Sequence, residues 1–339
     1  MGPASAGWME DEIKEVAQKG RCPVFSTRLT KEWGLRYPLV SAPMIGVSGG
    51  ELAGAVSRQG GLGIIGVSPA NDGAWLTEEA AKIGEGTPFG VGFIAWDLTR
   101  RPELLDTALN LGPFLVSVSF GAVNRYVGRV HERGVRLVTQ VNSVEDGLRA
   151  EEAGVDAVTV QGSEAGGHTG WASMLPLLQG LVGQVRVPVI AAGGLGTAQG
   201  VAAALMGGAD GVWLGTRFVA CYESLLAEPA VARILEKQET DTLLTHVFDR
   251  AMRLPWSDRY PGRVLANRFT ERWHADTLDS QAAEELHSAL TQGNADVIPI
   301  YAGESVRFVT HRERAGDIVQ QLMDGAYQWW QSRCRSLDE

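Results

Sequence analysis

Eight short apolar runs recur along the first two-thirds of the chain, with helix-patterned stretches between them, and this alternation constrains the fold most tightly. The runs are 37–44, 62–66, 89–94, 114–119, 135–140, 157–161, 187–191 and 211–214. A strand buried on both faces reads as continuously apolar, and Pro188-Val189-Ile190-Ala191 does so. The intervening stretches carry helix signals. Residues 51–59 place Leu52, Ala55 and Val56 on one face. Residues 144–153 follow an Asn142 or Ser143 N-cap, hold Glu145 in the first turn and stop at Gly154. Residues 197–206 begin on Thr197 and end at Gly207-Gly208. Strands alternating with helices imply a parallel sheet. Eight units in about 225 residues predict an α/β fold of the (β/α)8 TIM-barrel type. A doubly wound open sheet is the runner-up, although it needs fewer strands.

The repeat stops near Leu225. The expected division is a TIM barrel over 25–226, a smaller helical lobe over 227–302 that covers the substrate, and a C-terminal helix over 303–339 packing back on the barrel. Helix-like stretches lie at 231–239 and 279–291. In the tail, Ile318, Val319, Leu322, Met323, Ala326, Tyr327 and Trp330 recur at helical spacing and read as a packing face.

Composition narrows the function classes. The 339 residues include 42 glycines, as a fold with many strand-to-helix turns requires. The net charge of −10 and the lack of a basic stripe argue against nucleic acid as a partner. No apolar run approaches the ~20 residues of a membrane span, so no membrane partner is expected. The acidic N-terminus, 1–18, lacks the apolar core of a signal peptide. Cys22, Cys221 and Cys334 are far apart, offer no metal spacing and read as free thiols in a reducing compartment. The expectation is a cytoplasmic soluble enzyme with no metal.

Chemistry-bearing residues gather at predicted strand ends. Ala192-Gly193-Gly194 ends the seventh strand, ahead of a helix whose positive end faces the loop. Gly215-Thr216-Arg217-Phe218 ends the eighth. In barrels, these two loops commonly form one phosphate site. Gly61-Leu62-Gly63-Ile64-Ile65-Gly66 matches a dinucleotide fingerprint letter for letter, but a helix precedes it and its apolar letters lie inside the run. It reads as a strand with a glycine-rich entry. After the sixth strand, Gly166-Gly167-His168 puts an imidazole in a glycine-rich loop at the catalytic rim, where it suits proton transfer. A lone histidine is more often structural, and its loop position is what favours chemistry here. The two glycines remove side chains that would crowd a flat ligand. Ala42-Pro43-Met44 offers a rigid backbone and a polarizable surface at the first strand end, although core packing explains it equally well. Gln140 and Gln161 end the fifth and sixth strands and point amides at the same mouth, where either a ligand or a backbone group would satisfy them.

Four blocks together resemble the nitronate monooxygenases, formerly called 2-nitropropane dioxygenases: Ala42-Pro43-Met44, Glu164-Ala165-Gly166-Gly167-His168, Ala191-Ala192-Gly193-Gly194 and Gly215-Thr216-Arg217-Phe218. FMN-dependent enoyl-acyl-carrier-protein reductases and certain NADH:quinone reductases are close relatives of that family. The likeness spans about residues 25–225. It implies FMN at the barrel mouth. Ala42, Pro43, Met44 and Ile45 would lie at the isoalloxazine, and Ile94 beside it. Gln140 and Gln161 would contact the flavin or its ribityl chain, and Gly166 and Gly167 would line the pocket. Ala192, Gly193, Gly194, Gly215 and Thr216 would hold the phosphate, and His168 would be the catalytic residue. The implied reaction oxidises a small-molecule nitronate, or a nitroalkane with His168 as base, using dioxygen and giving a carbonyl compound and nitrite. The alternatives are an NAD(P)H-dependent FMN reductase of quinones or enoyl thioesters, and a non-catalytic flavin-binding barrel. Some relatives carry Lys where Gln140 stands and an acid where Gln161 stands, which leaves the flavin potential open. Arg250, Arg253, Arg259 and Arg263 read as a solvated face, and the Trp329-Trp330 pair is compatible with a homodimer.

Overall fold

The computed structural model describes residues 25–273 and 278–335. All eight apolar runs contain strands: β1 Leu39–Ser41, β2 Gly63–Gly66, β3 Phe89–Ile94, β4 Leu115–Ser119, β5 Arg136–Val141, β6 Ala157–Gln161, β8 Val189–Ala192 and β9 Gly211–Leu214. They form one parallel sheet, in the order β1-β9-β8-β6-β5-β4-β3-β2. A parallel bridge from Val40 to Leu62 joins its two edges and closes the barrel. Closure leaves no strand edge open to pairing with another chain. The open-sheet alternative is excluded by that bridge.

Alternate strand residues fill the barrel interior. Val40, Leu62, Ile64, Leu115, Val138, Ala157, Ile190 and Trp213 are all buried there in one cluster. Each fully buried aliphatic side chain contributes roughly 1.5–3 kcal/mol of transfer free energy. The outward-facing strand residues pack against the helices in a second, larger core. Local capping holds as read from the sequence. Ser143 Oγ accepts from the Asp146 N–H at 3.1 Å, and Gly154 ends that helix at φ 94. Thr197 Oγ1 accepts from the Gly200 N–H at 3.1 Å and caps the helix Ala198–Met206.

The C-terminal helix Ala315–Arg335 lies against Ala198–Met206 and Gly50–Arg58. Its stripe is buried at Ile318, Val319, Leu322, Met323 and Ala326. Gly325 permits the approach, since a Cβ there would stand 2.8 Å from that of Ala198. The stretch read as purely helical also contains two strands, β10 Thr242–Thr245 and β11 Gly262–Leu265. With the two-residue β7, Gly167–His168, they make an antiparallel sheet in the order β10-β11-β7. This excursion has its own core, around Phe248, Val264, Phe269, Trp273 and Leu286. The N-terminal stretch 1–18 and Cys22 lie outside the described residues.

Candidate active site

Eight parallel strands present their C-terminal ends to one face, so residues distant in sequence meet there. Register sets the level: Gln161 lies opposite Ala192, Ala192 opposite Trp213, and Ser41 opposite Leu214. A cavity of about 450 Å³ opens at this mouth. It is lined by Ala42, Pro43, Met44, Ile45, Ile94, Gln140, Gln161, Gly166, Gly167, His168, Ala192, Gly193, Gly194, Gly215 and Thr216, every residue that the sequence nominated. Pro43 and Met44 turn inward because Gly66 and Gly92 make room. A Cβ on Gly92 would stand 2.2 Å from that of Pro43, and one on Gly66 would stand 2.8 Å from the Met44 backbone.

The floor by β8 and β9 suits an anion. Those strands are neighbours, so their following turns lie side by side. Gly193 and Gly194 adopt φ 110 and 68, where a side chain would be strained. Among the described residues, no acceptor faces the backbone N–H groups of Gly193, Gly194 or Thr216. The N-terminus of Ala198–Met206 adds its positive end. Thr216 Oγ1 accepts from the Gly303 N–H at 2.9 Å, which ties the 302–305 segment to the rim. Free N–H groups without covering side chains fit a phosphate.

The two glutamines differ. Gln161 already has protein partners: its Nε2 donates to the His168 carbonyl at 3.0 Å, and its Oε1 accepts from Asn142 Nδ2 at 3.2 Å. It braces the histidine loop. The Gln140 amide makes no such bond among the described residues and remains available to a ligand. The glycines before the histidine also differ. A Cβ on Gly167 would meet nothing within 4 Å, whereas one on Gly166 would stand 2.6 Å from Gly303 N. Gly166 is thus required by the approach of the protein's own chain rather than by a flat ligand.

His168 is held by residues that sequence reading missed. The β11 pairing brings the excursion over it. Its Nε2 lies 3.0 Å from both carboxylate oxygens of Asp249, in the short helix Val247–Ala251. Trp256 stacks on the imidazole, with ring centres 3.5 Å apart and planes 6° apart. Tyr301 adds a tilted ring contact at 5.7 Å. Burial, with the Asp249 carboxylate adding to it, raises the Tyr301 phenol well above its ordinary range, so it stays protonated. A carboxylate facing Nε2 fixes the proton there. Nδ1, which has no protein partner among the described residues, then carries the lone pair. Trp96 and Phe120 complete this aromatic wall by edge contacts with Trp256. Phe120 itself adopts φ 67, a conformation uncommon for an aromatic residue.

The arginines read as a solvated face divide. Arg250 pairs with Asp258 and Arg259 with Asp146 in exposed positions. Arg263 is buried. It donates to the Ser163 carbonyl at 2.7 Å and pairs with Glu304, and burial lowers its pKa. Among the described residues, no cluster of ligating side chains suits a metal ion, and no helix is long and apolar enough to cross a membrane.

The fold and site define a closed (β/α)8 barrel of the enzyme type, with backbone N–H groups unpaired among the described residues and a carboxylate-bound histidine at one mouth. The family model for nitronate monooxygenase matches residues 98–325, and the chain belongs to that family. A model for the IMP dehydrogenase / GMP reductase domain matches residues 15–74. A probable nitronate monooxygenase of Staphylococcus saprophyticus is 30% identical, over 84% of this chain and 94% of its own. The corresponding Staphylococcus aureus protein is 28% identical over 84% of this chain and 92% of its own. Among solved structures, FabK from Thermotoga maritima is 27% identical with a TM-score of 0.81, covering 92% of this chain and 99% of that one. The nitroalkane oxidase of Streptomyces ansochromogenes is 26% identical with a TM-score of 0.76, covering 90% of this chain and 100% of that one.

Proposed function

We propose that the chain is an FMN-dependent enzyme that oxidises alkyl nitronates, and nitroalkanes after deprotonation, with dioxygen. In the net reaction, two nitronates and one dioxygen yield two carbonyl compounds and two nitrite ions. The observation that carries this reading is the His168–Asp249 pair at the mouth of a cavity whose floor is an anion cradle.

The residues present fit FMN. The N–H groups of Gly193, Gly194 and Thr216 would bind the phosphate, with Ala192 and Gly215 leaving the approach open. Pro43, Met44 and Ile45 would pack on the ring and Ile94 beside it, and Gln140 would offer its amide to the polar edge. FMN, when bound, supplies the electron acceptor that the oxidation needs.

The protein supplies position and proton transfer. His168 Nδ1 removes the α-proton of a neutral nitroalkane, and Asp249 stabilises the imidazolium that results. With an incoming nitronate, the protonated ring instead holds the nitro oxygens. Trp256 and Tyr301 pack against the imidazole and hold its orientation. The test is reconstitution with FMN followed by assay of nitrite from ethyl nitronate in air. Nitrite release that depends on added FMN supports the reading, and a colourless protein that releases none defeats it.

A further inference from the structure

The outer wall of the cavity carries no charge. None of the described lining residues is Lys, Arg, Asp or Glu, and His168 is the one lining side chain able to carry a positive charge. Trp96, Phe120, Met252, Leu254, Trp256 and Tyr301 line the cavity together with His168, and Trp256 and Tyr301 contact its ring. Of the arginines around this end of the barrel, Arg263 pairs with Glu304, Arg259 with Asp146, Arg250 with Asp258 and Arg217 with Glu313, whereas Arg100 lies over the Trp96 ring at 5.5 Å and the exposed Arg253 follows Met252; none of them lines the cavity. The fixed charge closest to His168 is the buried carboxylate of Asp249, which is negative. The polar capacity of the wall is neutral. The Trp96 indole N–H is buried with no acceptor among the described residues, and the Tyr301 hydroxyl stays protonated.

We propose that this site selects nitro compounds whose remainder is apolar and uncharged, alkyl or aryl-alkyl chains, and rejects those bearing a carboxylate. The proposal rests on the nitronate-oxidation reading above. One nitronate anion has His168 as its partner, the one described lining side chain able to carry a positive charge. A second anionic group inside the cavity would find no further charged residue among the described lining residues to pair with, and such an unpaired charge is strongly disfavoured. Selectivity here comes from what the wall lacks as much as from what it contacts.

The test compares two substrates of similar length, butyl 1-nitronate and propionate 3-nitronate, on the FMN-loaded protein. We expect kcat/KM for the butyl compound to be at least roughly 100-fold higher. Leu254→Arg, which puts a cation on a half-buried wall position, should narrow that ratio by at least about tenfold. Calorimetric titration without oxygen of the protein with its FMN already reduced gives a readout apart from turnover: 1-nitrobutane should bind, and 3-nitropropionate at least roughly 100-fold more weakly. Equal or preferred use of the carboxylate compound overturns the proposal while leaving nitronate oxidation intact. If neither nitronate is consumed, the oxidation reading falls, and the binding ratio still decides the charge argument.

Discussion

His168 places Nε2 3.0 Å from both carboxylate oxygens of Asp249, across 81 positions of sequence. That contact selects the tautomer with its lone pair on Nδ1, the nitrogen left for chemistry. Asp249→Asn keeps the shape but offers a donor and favours the other tautomer. The expected outcome is a fall of about 10²–10⁴-fold in kcat for neutral nitroethane, with FMN content unchanged and turnover of preformed ethyl nitronate much less affected. Steady-state rates on the two substrates separate this from a general loss of structure, which would lower both.

Replacing His168 itself removes the proton acceptor. His168→Asn should bind FMN normally and lose about 10²–10⁴-fold in nitroalkane turnover. The check pairs the visible flavin spectrum with nitrite release. Unchanged turnover would remove His168 from the mechanism.

Gly194 adopts φ 68, and its N–H has no acceptor among the described residues, in the proposed phosphate cradle. Gly194→Val forces a branched side chain into the left-handed region, at a strain of about 1–3 kcal/mol. If the turn shifts to relieve it, the FMN Kd should rise roughly 5- to 150-fold. Fluorescence titration of FMN into the apoprotein measures this, with circular dichroism confirming that the barrel is retained.

Cys221 is buried beside Glu223, and burial, reinforced by that carboxylate, pushes its thiol up to about 12. The native thiol is therefore neutral at pH 8 and a poor nucleophile. In a Cys22→Ser, Cys334→Ser background, Ellman's reagent should find no reactive thiol in the folded protein and one after denaturation. The pH dependence has a fixed sign. Native Cys221 resists ionisation while the unfolded thiol ionises from about 8.5. Stability is therefore untouched below that pH and declines between it and about 12.

The barrel was legible because each strand is a continuous apolar run, and burial on both faces leaves that mark regardless of tertiary context. The adjacency of the turns at Gly193 and Gly215 was legible for a local reason too, because they end consecutive barrel strands. The histidine's supports were not. Asp249 and Trp256 lie in a charged stretch that reads as solvated surface, and β7 is only two residues long, too short to show a period. The alternation in Gly262-Arg263-Val264-Leu265 was the available signal, but nothing local says that this strand pairs with Gly167 and His168. Gln161 was correctly placed at the mouth, yet its engagement by Asn142 and the His168 carbonyl depends on contacts across the loop.

Mixing the FMN-loaded protein with butyl 1-nitronate in the absence of oxygen, and separately with NADH, tests the central claim most directly. The expected result is rapid loss of the flavin absorbance with the nitronate and little change with NADH. Rapid bleaching by NADH alone, with the nitronate inert, would contradict it and make the protein a reductase on the same barrel.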